Sequence, residues 1–124
     1  MRKNQRNVDK IVIQKIIGYC DNIESFIAQF NGSLEVYQSE TAFRYACDMC
    51  IFQIGELTTR LSEKFKTQCP EIPWRKIKAL RNIHAHDYEN VDLEIMWEII
   101  TKNIPELKAQ LTKILSQKEE IEEA

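Results

Sequence analysis

The stretch Val8-Asp-Lys-Ile-Val-Ile-Gln-Lys-Ile-Ile-Gly-Tyr-Cys-Asp-Asn-Ile-Glu-Ser-Phe-Ile-Ala-Gln-Phe30 decides the fold class. Its apolar residues Val8, Ile11, Val12, Ile16, Tyr19, Cys20, Ile23, Ile27 and Phe30 recur three and four apart, the spacing of a helix with one buried stripe. Asn31-Gly32-Ser33 is a stop signal, with Gly32 where a left-handed C-terminal residue costs little. Residues 34–38 are compatible with a loop or a turn of helix. Ser39, Glu40 and Thr41 then offer N-caps for a second helix. Its stripe, Phe43, Ala46, Cys47, Cys50, Ile51, Ile54, Leu57, Leu61 and Phe65, runs to about residue 66. Two long amphipathic helices in succession predict an antiparallel hairpin that founds a bundle.

Cys69-Pro70-Glu71-Ile72-Pro73 breaks the pattern, because two prolines three apart cannot lie inside one helix, while Pro73 suits a first turn. A third helix is expected from Trp74 to about residue 86–89, with Trp74, Ile77, Leu80 and His84 on one face and Arg75, Lys76 and Lys78 on the other. Asp92 is placed to cap a fourth over residues 93–102, with Ile95, Met96, Ile99 and Ile100 inward. Pro105 opens a last helix through Leu107, Leu111, Ile114 and Leu115, before an acidic tail at residues 118–124. The expectation is an all-α antiparallel bundle of four to five helices, one domain over residues 1–124 with its core at about 9–115.

Composition agrees: 124 residues, 44% hydrophobic and 29% charged, with three Gly and three Pro, describe a folded helical chain. No apolar run approaches the roughly 20 residues that span a bilayer, and the polar N-terminal residues show no signal-peptide core, so no membrane association and a cytoplasmic location are expected. The four cysteines then read as buried thiols. A net charge of −2 argues against a protein that coats nucleic acid indiscriminately. Yet residues 60–81 hold seven basic against two acidic side chains, and residues 87–106 hold six acidic against one basic. The positive zone either attracts a phosphate backbone or forms solvated helix faces.

The chemistry-bearing residues gather behind that zone in Arg81, Asn82, His84, His86, Asp87 and Tyr88. On a helix Asn82 and His86, four apart, share a face, and Arg81 and Tyr88, seven apart, share the adjacent one. A permanent cation beside an imidazole that titrates near neutrality suits phosphodiester cleavage: Arg neutralises charge growing on the phosphoryl oxygens, and His moves a proton. RNA brings its own nucleophile in the 2′-hydroxyl, so the pair needs neither a metal nor a catalytic Ser or Cys. One such His per chain is short of a base and an acid, which a twofold dimer would supply. Glu56, beside the apolar stripe of the second helix, is either a boundary residue or a carboxylate reaching into a cleft. His84 and His86 are spaced poorly for one metal on a helix, although His84, His86 and Asp87 together form an alternative metal-hydrolase set. Cys47 and Cys50 form a C-x-x-C mid-helix without a second pair. No Gly-rich phosphate loop and no Ser/His/Asp arrangement stands out.

With these residues laid out, the chain resembles the HepT-like class of HEPN-domain proteins, small helical ribonuclease toxins paired with minimal nucleotidyltransferase antitoxins. The motif is Arg81-Asn-Ile-His-Ala-His86-Asp-Tyr88, flanked by Ile72-Pro-Trp-Arg75, by Val91-Asp-Leu-Glu-Ile95 with Trp97, and by Ile54-Gly-Glu56 on the second helix. The resemblance spans about residues 9–115. It implies a HEPN-type bundle and a metal-independent endoribonuclease needing no cofactor, with a composite site across a homodimer. It implies Arg81 and His86 as catalytic residues, Asn82 as a supporting one, and Tyr88 as acceptor of AMP from the partner nucleotidyltransferase. His84 and Ala85 depart from the aliphatic pattern of relatives; His84, Asp87 and Glu56 are accessory candidates. The alternative is a non-catalytic HEPN module that binds a nucleotide or a nucleotidyltransferase.

Overall fold

In the computed structural model α1 spans Arg2–Phe30 and α2 Leu34–Ser39, followed by α3 at Thr41–Thr58 and α4 at Glu63–Gln68. Then come α5 at Trp74–Ala79, a 3-10 turn at Leu80–Ile83, α6 at Leu93–Glu98, a π-helical turn at Ile99–Asn103 and α7 at Ile104–Glu123. The structure describes the backbone of residues 2–83 and 92–123 and the side chains of residues 7–82 and 92–117. Among the described residues there is no strand, and the all-α bundle expected from the sequence is observed. One cluster of buried side chains runs through it, from Val12, Ile16 and Ile23 of α1 through Phe43, Ile51 and Ile54 of α3 to Ile104, Leu107 and Leu111 of α7.

The stripe of α1 is rotated from the expected one over its first turns. Val8 and Ile11 are 44% and 50% exposed, whereas Asp9 is only 5% exposed and Ile13 is buried. The Asp9 carboxylate explains the rotation: one oxygen accepts from Ser62 N at 2.9 Å and the other from Ser62 Oγ at 2.7 Å. Satisfying a buried carboxylate outweighs burying Val8. The start of α1 therefore lies against the end of α3, and Phe30 at its far end meets Phe43 with ring centroids 5.3 Å apart, so the hairpin is antiparallel.

At the end of α1 Asn31, not Gly32, takes the left-handed conformation, with φ 51°. Gly32 N donates to Ile27 O and Asn31 N to Ala28 O, the paired bonds of a Schellman ending. Gly32 is needed for space instead, since a Cβ there would stand 2.6 Å from Phe43 Cζ. Gly18 is the opposite case, with nothing within 4 Å of a Cβ built on it. Gly18→Ala is therefore expected to raise stability by about 0.5–1 kcal/mol, through helix propensity alone, in a urea titration.

The long second helix expected to residue 66 is two helices. The Thr58 and Thr59 hydroxyls donate to Gly55 O and Glu56 O, the chain tightens through Arg60 and Leu61, and Ser62 caps α4 by accepting from Phe65 N. Leu61 and Phe65 stay buried across the break. Ser39 is likewise not a cap: it ends α2, donating to Glu35 O, and Glu40 precedes α3 without a side-chain cap bond. Residues 34–38 are helical, capped by Ser33, and seat Tyr37 in the core with its hydroxyl on the buried Asp48.

The fourth and fifth helices join into one rod. Asp92 caps α6 as expected, accepting from Glu94 N and Ile95 N. Pro105 has no N–H and would clash with the carbonyl four residues back, so the winding opens before it and Ile104 N reaches Ile99 O, five residues back. Met96 and Ile100 are buried, but Ile95 is 56% exposed rather than inward. Trp97 packs against Tyr37 and Phe43 at 5.6 and 6.0 Å, and Lys108 ties α7 to α1 through Asp21 at 2.7 Å and Glu24 at 3.1 Å. No helix of the described residues is long and apolar enough to cross a membrane.

Candidate active site

Arg81 arrives at the site through the break at residues 69–73. There the Trp74 indole N–H is shared between Lys66 O at 3.2 Å and Cys69 O at 3.1 Å, and its ring packs on Phe65 at 5.7 Å. This clamp fixes the start of α5, and Ile77 buries the middle of it. The backbone then tightens into the 3-10 turn that carries Arg81 and Asn82.

Gly55 lets that turn come close. A Cβ at this position would lie 2.8 Å from Arg81 N, 3.2 Å from Arg81 Cβ and 3.2 Å from Ile77 O. The contact is with main chain, which cannot swing aside, so only glycine admits the turn this near to α3. One residue on, Glu56 Oε1 lies 3.7 Å from an Arg81 terminal nitrogen, with the two side chains 40% and 39% exposed. A carboxylate at that distance engages one edge of a guanidinium that has five N–H donors, which leaves the others for an anion. Glu56 is thus a half-exposed carboxylate at the boundary of α3 that meets Arg81. Asn82 is exposed on the same turn. The structure thus brings Arg81, Asn82 and Glu56 to one locality, whereas His84, His86, Asp87 and Tyr88 lie outside the described residues. The third helix expected to run to residues 86–89 is α-helical only over Trp74–Ala79 before it tightens into the 3-10 turn at Leu80–Ile83, and residues 84–89 lie outside the described ones.

Gly55 is the residue whose role the sequence reading missed, although a glycine inside an otherwise apolar helical run was the available sign of a close backbone approach.

The C-x-x-C pair is not an open site. Cys47 and Cys50 are buried in the core, as are Cys20 and Cys69, and no disulfide joins any of the four. Burial pushes the Cys20 and Cys47 thiols up to about 12, helped at Cys20 by the Asp21 carboxylate and at Cys47 by Asp48, and pushes Cys50 up to about 11. Native protein is therefore expected to resist maleimide at neutral pH and to react fully once unfolded. Because the folded chain keeps these protons longer than the unfolded one, the stability they contribute is complete below the ordinary thiol value of 9.0 and is lost as pH rises toward 11 and 12. Urea midpoints that fall between pH 8 and 10.5 would show it. Among the described residues no group of three or more His, Cys, Asp or Glu is placed to hold a metal.

A family model described as Ribonuclease HepT-like matches residues 16–114. The chain belongs to the HepT-like ribonuclease family. A protein of Methanocaldococcus jannaschii named as an RNase is 29% identical over 111 residues, covering 90% of this chain and 94% of the relative. A Thermococcus cleftensis protein named as a ribonuclease HepT is 28% identical over 105 residues, covering 85% and 94%. A Caldanaerobacter subterraneus protein named as an RNase is 40% identical over 64 residues, covering 52% and 57%. No solved structure matches the chain. In this HepT-like chain the matched span takes in α3, α5 and the 3-10 turn, and with them Gly55, Glu56 and Arg81.

Proposed function

We propose that the chain is a metal-independent endoribonuclease, a single HEPN domain whose Arg81 and His86 complete a composite site across a homodimer, and that it acts as the toxin of a toxin–antitoxin pair. The observation that carries the reading is the half-exposed Arg81 guanidinium held beside Glu56 in a member of the HepT-like ribonuclease family. In the reaction, the RNA 2′-oxygen bonds to the adjacent phosphorus as His86 of one copy takes its proton. The bond from phosphorus to the 5′-oxygen breaks, and that oxygen leaves with a proton from the second copy's imidazole. The products are a 2′,3′-cyclic phosphate and a 5′-hydroxyl. Arg81 stabilises the charge that builds on the non-bridging oxygens, and Asn82 supports the phosphate as a neutral donor. Transfer of AMP from ATP to Tyr88 by a partner nucleotidyltransferase, in which the deprotonated phenol oxygen bonds to the α-phosphorus and pyrophosphate leaves, would place an anion two residues from His86, repelling the substrate phosphate.

The test is cleavage of RNA by the purified full-length chain in EDTA, after mass spectrometry has shown Tyr88 free of AMP. Products ending in 2′,3′-cyclic phosphate are expected. Loss of cleavage in EDTA would instead favour a metal site drawn from His84, His86 and Asp87. No cleavage with or without divalent ions would leave the non-catalytic module that binds a nucleotide or a nucleotidyltransferase.

A further inference from the structure

A groove of about 320 Å³ opens between α4 and α5, and Lys66, Thr67, Trp74, Arg75, Lys78 and Thr58 line it. Its one acidic wall residue, Glu63, pairs with Lys66 at 3.1 Å through a carboxylate that is itself almost fully exposed. Neither Arg75 nor Lys78 has an ion-pair partner among the described residues. The groove therefore keeps an excess of positive charge in a chain whose net charge is −2. Such a surplus in a concave site, rather than spread over a convex face, favours an anionic occupant.

The lining is not that of an ion site alone. The Trp74 indole is fixed by its two carbonyl acceptors and by Phe65, so it forms a rigid aromatic wall beside the cations. The threonines add short polar side chains. Cations that track a backbone, next to an aromatic surface, are the features that hold single-stranded nucleic acid without reading its sequence. Position adds direction. Arg75, Lys78 and Arg81 follow one another at three-residue steps, about 4.5–6 Å each along a helix that tightens to 3-10. Two of the groove's cations thus sit on the same run of chain that carries Arg81, one and two turns before it.

We propose that the groove between α4 and α5 is a binding site for the single-stranded RNA backbone flanking the cleaved phosphate, with Lys66, Arg75 and Lys78 as its phosphate contacts and Trp74 as its base wall. The proposal rests on the ribonuclease reading for its substrate, and binding can be measured apart from cleavage. The experiment uses the full-length protein and a fluorescein-labelled, 2′-O-methylated single-stranded RNA, which cannot be cut, in an anisotropy titration over a salt series. The Arg75→Gln/Lys78→Gln double variant is expected to bind at least about tenfold more weakly at low salt, and its dependence of log K on log salt should be shallower by about 1.4, two phosphate contacts at about 0.7 each. Lys113→Gln, on the exposed side of α7, should leave both unchanged. Photocross-linking of 4-thiouridine RNA to wild-type protein, mapped by mass spectrometry, should mark the peptides around Thr67 and Trp74 and gives a readout that needs no variant to fold. Unchanged affinity and slope, or cross-links confined elsewhere, would overturn the groove even if wild type cuts RNA. Conversely, groove-dependent binding by a chain that cleaves no RNA would keep the groove and sink the endoribonuclease reading. Displacement of the RNA by an acidic peptide as readily as by unlabelled RNA would reassign the groove to an acidic protein surface and overturn the proposal.

Discussion

Arg81→Ala is expected to lower RNA cleavage by about 10²–10³-fold, the effect of removing one donor aimed at developing charge in an acyl- or phosphoryl-transfer site. The loss should appear in the rate at saturating RNA, because the guanidinium is assigned to the transition state rather than to general binding. Stability should barely move. The Glu56 pair is half exposed at 3.7 Å, and pairs of that kind contribute about 0–1 kcal/mol, so a melting curve close to wild type is part of the expectation. Arg81→Lys keeps the charge without the planar fork and should recover only part of the rate. His86→Ala should match it, at about 10²–10⁴-fold, and the double variant should cost little more than either single change, as residues acting in one step do. Wild-type rates for Arg81→Ala would remove this residue from the site.

Gly55→Ala is the second large effect and acts on the fold and the site together. Taken alone, α3 should gain close to 1 kcal/mol from the exchange, since alanine is the better helix former. Against this stands a Cβ 2.8 Å from the Arg81 backbone nitrogen and 3.2 Å from Ile77 O. Relief requires α5 and the 3-10 turn to move off α3, and overpacking of this kind costs about 1–3 kcal/mol. A net loss of stability by urea titration is expected, accompanied by a fall in cleavage as Arg81 is carried away from Glu56. Displacements of an ångström at a reacting group can cost about 10²-fold. Arg81→Ala should not rescue the stability, because the clash is with main chain. A Gly55→Ala chain that is more stable than wild type would show that the turn does not lie against α3 as described.

The two variants separate roles that one residue name conceals. Arg81→Ala removes the guanidinium and leaves its backbone against Gly55; Gly55→Ala keeps the guanidinium and moves its backbone. Loss of cleavage in both, with loss of stability only in the second, is the pattern expected if the proposed site is right.

The sequence by itself determined what depends on neighbours in the chain. The three-and-four spacing of α1 was legible as a helix because the stripe repeats over many turns, even though Asp9 displaced Val8 and Ile11 from it. The stop at Asn31-Gly32, the break between Cys69 and Pro73 and the Asp92 cap were legible because each acts through bonds a few residues long. Residue types and spacing also raised phosphodiester chemistry at Arg81, Asn82 and His86 as an expectation, of which the described residues place Arg81 and Asn82. The tertiary structure decided the rest. Residues 58–62 kept their apolar spacing and so read as continuous helix; the Thr hydroxyls could have been noticed, but the Asp9 carboxylate that seats Ser62 comes from 53 residues away. The joining of α6 to α7 turned on how far the winding could open before Pro105, which packing of Met96, Ile100 and Ile104 in the core sets. Glu56 and Arg81 are on different helices, and whether a boundary glutamate meets that arginine is settled by how near the 3-10 turn can approach α3. That distance is governed by the missing side chain of Gly55, and periodicity along one helix carries no information about the gap to the next.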